Sequence, residues 1–181
     1  MNAETSIKPI VVGVDGSRYS REALRWAWDE AERRGCSVRA LMVWHTEAVI
    51  AAGRPTIVGL GTQLPGDPGP EYLQLLDDTV REVLGERGDP GVDAELVRGG
   101  PPEVLVRASA DAQLLVVGSH GHRRWVEAVL GSVAQYCTRH AACPVVVIPA
   151  RLVDQLAEKQ RSGLTSELAH LPWGDGLGPL L

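Results

Sequence analysis

Apolar residues run along this chain in two alternating rhythms. Short, near-continuous runs at Ile10-Val11-Val12-Gly13-Val14, Val38 to Trp44, Leu114-Leu115-Val116-Val117 and Val145 to Ile148 are rich in Val, Ile and Leu. Such runs read as strands buried on both faces. Between them the apolar residues recur at helical spacing. Leu24, Ala27, Trp28 and Ala31 fall at i, i+3, i+4 and i+7, which predicts an amphipathic helix that Ser20 can cap and that ends near Gly35. Tyr72, Leu75, Leu76, Val80, Val83 and Leu84 form a second stripe, begun by Pro70 and stopped by the glycines around Gly88. Val104, Leu105, Ala108 and Ala112 mark a third helix, and Val133 to His140 a fourth. A shorter strand is expected at Asp93 to Val97. The order is strand and helix repeated, ending in a strand, which argues an α/β fold with a parallel sheet covered on both faces. The stretch from His45 to Pro70 is rich in glycine and proline, has no clear period, and reads as a long loop.

In such sheets ligands sit beyond the carboxyl ends of strands. Two strand ends here carry ligand chemistry. After Val117 come Gly118, Ser119, Gly121 and then Gly131-Ser132, with two residues between the first two glycines and nine before the third. Ser132 is expected at a helix start, where unpaired N–H groups and the dipole favour an anion and glycines let a phosphate approach the backbone. At the other end of the chain, Val14 runs into Asp15-Gly16-Ser17. The chemistry suggested is nucleotide binding.

These residues resemble the universal stress proteins, whose first strand ends in Val-Asp-Gly-Ser and whose nucleotide-binding members carry the same glycine spacing followed by serine or threonine. The similarity runs from about Ile10 to Pro149 and includes Gly99-Gly100-Pro101-Pro102-Glu103, which looks like that family's turn into its third helix. The resemblance implies a five-stranded parallel sheet of order 3-2-1-4-5, Rossmann-like and similar to the adenine nucleotide alpha hydrolases. It also implies an ATP site, a homodimer formed through the last strand, and a stress-response or regulatory role, and the phosphate charge of ATP calls for Mg²⁺ or Mn²⁺. A slow ATPase of the same fold and an interaction protein without nucleotide are the alternative functions.

Each site residue has a plainer reading beside the functional one. Asp15 can cap a turn, or its carboxylate can hold the base or ribose end, with Gly16 allowing close approach. For Val43 the resemblance implies a backbone contact to adenine, although its side chain also suits a core. Gly131 and Ser132 can serve only as a turn and a cap, yet their spacing from Gly118 and Gly121 favours phosphate contact. Ser119 can add a hydroxyl or N–H. His120, His122, Arg123 and Arg124 either form a solvated face or bring an arginine to the phosphates. Trp125 is expected to anchor its segment to the core. The two histidines lack a third ligand nearby in sequence, so no protein metal site is expected. No Gly-x-x-x-x-Gly-Lys-Ser/Thr run occurs, and efficient hydrolysis is not expected.

Composition narrows the class further. A chain of 181 residues with 44% hydrophobic content suits one ordinary domain with a real core. A formal net charge of −5 without a basic stripe argues against nucleic acid as a partner. No segment approaches a membrane span, Met1 to Lys8 lacks the apolar core of a signal peptide, and a cytoplasmic protein is expected. The three scattered cysteines, Cys36, Cys137 and Cys143, are expected to be small buried hydrophobes. A universal stress protein domain is expected over 7–150. An extension of unknown role, partly disordered, follows over 151–181, with Leu152, Leu156, Leu164, Leu168 and Leu171 lining one side of two short helices.

Overall fold

The computed structural model describes residues 7–44, 48–51, 54–57, 70–85, 91–119 and 130–158. Its elements run β1 (Ile10–Val14), α1 (Arg18–Arg34), β2 (Val38–Trp44), β3 (Ala48–Ala51), β4 (Arg54–Ile57), α2 (Pro70–Leu84), β5 (Val92–Arg98), α3 (Pro101–Ser109), β6 (Leu114–Gly118), α4 (Ser132–His140) and β7 (Val145–Ile148). A further helical segment occupies 150–158. Five strands form one sheet in the order β5-β2-β1-β6-β7. Every neighbouring pair in it is parallel, with Ile10 opposite both Val38 and Leu114. Counting only these five strands, the order is the expected 3-2-1-4-5.

The period of two along each strand divides the core into two layers. Ile10, Val12, Val14, Val38, Ala40, Met42, Leu114 and Val116 pack with Leu24, Ala27 and Trp28 of α1 and Leu76 and Val83 of α2. Val11, Leu41, Leu115 and Val117 turn to the opposite face, where they meet Leu105 of α3 and Ala134 and Cys137 of α4. Gly13 belongs to this second face, and a Cβ there would lie 2.9 Å from Leu105 Cδ1. A bare backbone at this point lets α3 sit close against the central strand. Cys137 is fully buried, and burial pushes its thiol up to about 11. Cys36 and Cys143 are only partly buried, and all three cysteines are free thiols.

The two edges of this sheet differ in chemistry. On β5, Asp93 and Arg98 are exposed, and Glu95 is held by a two-pronged pair with Arg39 of β2, at 2.8 Å from Nε and 2.7 Å from Nη2. The Arg39 guanidinium draws the Glu95 carboxyl below its ordinary range. On β7 the strand is Val145-Val146-Val147-Ile148, with the three valines partly buried.

Four sequence expectations need correction. The helix-capping serine of α1 is Ser17, not Ser20: the Ser17 side chain accepts from the Ser20 N–H, and the helix begins at Arg18. The reading of 45–70 as one long loop fails at 48–57, where β3 and β4 pair antiparallel with Ala48 opposite Ile57. Runs of four residues are too short to show a period, so the Gly- and Pro-rich surroundings dominated the reading. α3 ends at Ser109, and Ala112 enters the core from the turn that follows. In the C-terminal segment Val153 is the buried residue, whereas Leu152 and Leu156 are exposed. The expected second short helix around Leu164 to Leu171 lies outside the described residues.

Candidate functional site

Two loops leave neighbouring strands at the carboxyl edge of the sheet, one after β1 and one after β6. The first, Asp15 to Ser20, satisfies much of its own backbone. The Ser17 N–H donates to Asp15 Oδ1 at 3.0 Å, and the Asp15 N–H donates to Ser20 Oγ at 3.2 Å. Ser20 Oγ also donates to the Ser17 carbonyl at 3.0 Å. The start of α1 is therefore capped from within the chain. Gly16 has φ +79°, and a Cβ on it would lie 2.7 Å from Leu75 Cδ1 of α2. Backbone conformation and the packing of α2 both demand glycine here.

The second loop starts from β6 differently. Ser119 is 4% exposed, and among its hydrogen bonds are three of 2.8 Å: its N–H donates to the Ile148 carbonyl, its carbonyl accepts from the Gly131 N–H, and its Oγ accepts from the Ala150 N–H. The second of these draws the residue before α4 against the residue after β6, although eleven residues separate them in sequence. Gly131 is the N-cap residue of α4, at φ −58° and ψ 153°, and among the described residues no side chain caps the helix. The first-turn N–H groups of α4 thus lack the kind of internal cap that serves α1, which suits them to an anion.

Between β2 and α2 lies a cleft of about 470 Å³ lined by Asp15, Met42, Val43, Glu71, Tyr72 and Leu75. Among the described residues, its ionisable groups are two carboxylic acids and a phenol. Such a lining repels phosphate and accepts hydrogen bonds from amines and hydroxyls, while the apolar side chains suit a flat ring. The loop after β1 and the cleft meet at Asp15. Among the described residues, no group of three or more His, Cys, Asp or Glu side chains is placed to hold a metal ion.

The structure brings Asp15 and Val43 into one cleft, and Gly118, Ser119, Gly131 and Ser132 to one strand end. Gly121 lies outside the described residues, as do His120, His122, Arg123, Arg124 and Trp125. Sequence reasoning named Ser17 and Ser20 but not the bonds by which they shape the first loop, and it did not assign to the site Glu71, Tyr72 and Leu75, which α2 contributes to the cleft. Tyr72 and Leu75 were legible as an apolar stripe. What they face was not.

No helix among the described residues is long and apolar enough to cross a membrane. Among curated relatives, a universal stress protein of Mycobacterium tuberculosis is 34% identical over 157 residues, covering 82% of this chain and 50% of its own length. One of Mycolicibacterium smegmatis is 34% identical and covers 82% of this chain and 48% of its own. The chain thus spans about half the length of the curated relatives it matches. A universal stress protein solved in complex with cAMP superposes with a TM-score of 0.56 at 23% identity, over 80% of this chain and 98% of that one. One from Archaeoglobus fulgidus in complex with dAMP gives 0.50 at 24% identity, over 80% and 99%. These structures speak for the fold. The model of the universal stress protein family matches residues 6–149, which takes in both strand-end loops and all five strands of the main sheet, and the chain belongs to that family.

Proposed function

We propose that this protein binds ATP, with Mg²⁺ or Mn²⁺ carried on the phosphates, and acts as a nucleotide-dependent regulator in a stress response. The observation that carries this reading is the 2.8 Å bond from the Gly131 N–H to the Ser119 carbonyl, which sets the start of α4 at the end of β6. The phosphates belong at Gly118, Ser119, Gly121, Gly131 and Ser132, where first-turn N–H groups replace the lysine of a P-loop. The base and ribose belong toward Asp15, Gly16 and Val43, in the acidic and apolar cleft. The ligands named for two structural relatives, cAMP and dAMP, are both adenine nucleotides and support the same class of ligand. A cytoplasmic location and a unit over 7–150 with a separate extension complete the proposal.

Titration calorimetry with ATP and Mg²⁺ tests it. Gly131 has a negative φ that any residue adopts, so Gly131→Val leaves the backbone unstrained and places a branched side chain where a phosphate would meet the helix start. We expect at least a tenfold loss of affinity in a folded Gly131→Val variant. Undiminished binding refutes the phosphate assignment. The same pair of proteins also measures turnover, which we expect to be negligible because the sequence has no P-loop lysine motif. Robust phosphate release abolished by Gly131→Val would make the protein an ATPase.

A further inference from the structure

Helix 150–158 is fastened to both loops of the crevice. Its first residue, Ala150, donates its N–H to Ser119 Oγ at 2.8 Å, and the Ser119 carbonyl holds Gly131 at the start of α4. Three residues further on, Val153 is 3% exposed and joins the core on the α1–α2 face. The next residue, Asp154, pairs through Oδ1 with Arg18 Nη2 at 2.7 Å. Arg18 directly follows the capping Ser17, and its guanidinium lies over the Tyr19 ring at 4.8 Å from the centroid. One short helix thus touches the residue after β6 and the residue that opens α1.

We propose that docking of helix 150–158 is coupled to occupancy of the crevice, so that a bound nucleotide holds the helix down and release of the helix weakens nucleotide binding. The inference rests on the nucleotide reading above. Ser119 is the joint. Because it is buried and hydrogen bonds run from it to α4, β7 and the helix, a ligand that fixes the start of α4 fixes Ser119, and Ser119 cannot shift without breaking its bond to Ala150. The Arg18–Asp154 pair is about half exposed at both ends and adds little by itself. Val153 and the Ser119 bond are anchors of the helix, and a single terminal helix undocks more readily than the sheet unfolds. Coupling of this kind is reciprocal: whatever the ligand gives to helix docking, docking gives to ligand affinity.

The test uses the full-length chain with ATP and Mg²⁺ as the probe. Hydrogen–deuterium exchange over 150–158 is measured with and without ATP, and affinity is measured by calorimetry for wild type, Ala150→Pro and Val153→Asp. Ala150→Pro deletes the N–H that reaches Ser119 at a first helical position, where proline is tolerated, so the fold survives. If Val153→Asp fails to fold, Ala150→Pro decides alone. We expect ATP to slow exchange over 150–158, and each folded variant to bind ATP about fivefold or more weakly, the lower end of common coupling strengths. Wild type that does not bind ATP overturns the nucleotide reading and this proposal together. Wild type that binds, with equal affinity in Ala150→Pro or with exchange over 150–158 that ATP leaves unchanged, overturns the coupling alone.

Discussion

Ser17 donates its backbone N–H to Asp15 Oδ1 at 3.0 Å, so the carboxylate proposed to meet a ligand already holds the turn into α1. The plain and the functional readings of Asp15 are compatible, since a carboxylate has four lone-pair sites and this bond takes one. Two substitutions separate them. Asp15→Ala removes the turn bond and is expected to cost about 1 kcal/mol of stability in urea unfolding, together with a tenfold or greater loss of ATP affinity. Asp15→Asn keeps an acceptor oxygen and should lie within about 0.5 kcal/mol of wild type, so a drop in its affinity reports the lost charge alone. Wild-type binding by both variants removes Asp15 from the site.

Gly16→Ala is expected to destabilise the protein by about 1–2 kcal/mol with or without ligand. Its positive φ is costly for any residue with a Cβ, and the new carbon would lie 2.7 Å from Leu75 Cδ1. Adding Leu75→Ala should recover part of that loss by removing the clash while leaving the backbone strain. If the double variant is no more stable than the sum of the two single changes, the contact is not the cause.

How far these two loops could be read from the chain depends on the signal each residue carries. Val38 to Trp44 is apolar except at Arg39 and was found with both ends correct, because one polar residue does not break the signal of a strand buried on two faces. Val92 and Arg98 extend β5 one residue beyond each end of the expected strand, since an edge strand fades into polar residues. Ser17 and Ser20 are both plausible caps three residues apart, and only the hydrogen bonds choose. Val153 escaped notice because the leucines beside it made a more regular stripe, yet nothing in a stripe says which neighbour it will meet. The glycine spacing after β6 was legible as chemistry. That Ser119 ties it to Ala150 was not, because the partner lies 31 residues away.

The Cys137 thiol gives a signature in alkali. Burial raises it to about 11, whereas in the unfolded chain it titrates near its ordinary value of about 8.5. Between these values the unfolded state has lost its proton and the folded state has kept it, so stability falls as pH rises, by roughly 1 kcal/mol per pH unit from this group. Below about pH 8 it contributes no slope. Urea unfolding at pH 8, 9 and 10 checks this, with Cys137→Ala expected to flatten the decline. An identical slope in that variant would assign the effect elsewhere. Native Cys137 should also resist thiol reagents at pH 8 while Cys36 reacts.

The proposed dimer can be tested at a sharper place than the middle of β7. Leu115 donates to the Pro144 carbonyl and Ser119 to the Ile148 carbonyl, so by the period of two residues 144, 146 and 148 turn their backbone toward β6. Val145 and Val147 then present their amides on the open side. Val147→Pro should lower dimer affinity at least tenfold in sedimentation experiments with little change in monomer stability, whereas Val146→Pro breaks the ladder within the monomer and should destabilise the fold itself. A wild type that stays monomeric at all accessible concentrations refutes the pairing.

If the chain pairs through β7 as proposed, the unlike edges of the sheet would set where assembly stops. A chain with two open apolar edges can add copies without end, because each addition leaves a fresh edge exposed. Here a second copy meeting β7 across a two-fold axis leaves only β5 at either outer rim, and β5 carries exposed Asp93 and Arg98 with Glu95 held inward by Arg39. Those charges make the outer rim a terminator. Raising the protein concentration should therefore fill a single closed species and then stop. A charge-removing change at Asp93 is where open-ended polymers would first be expected.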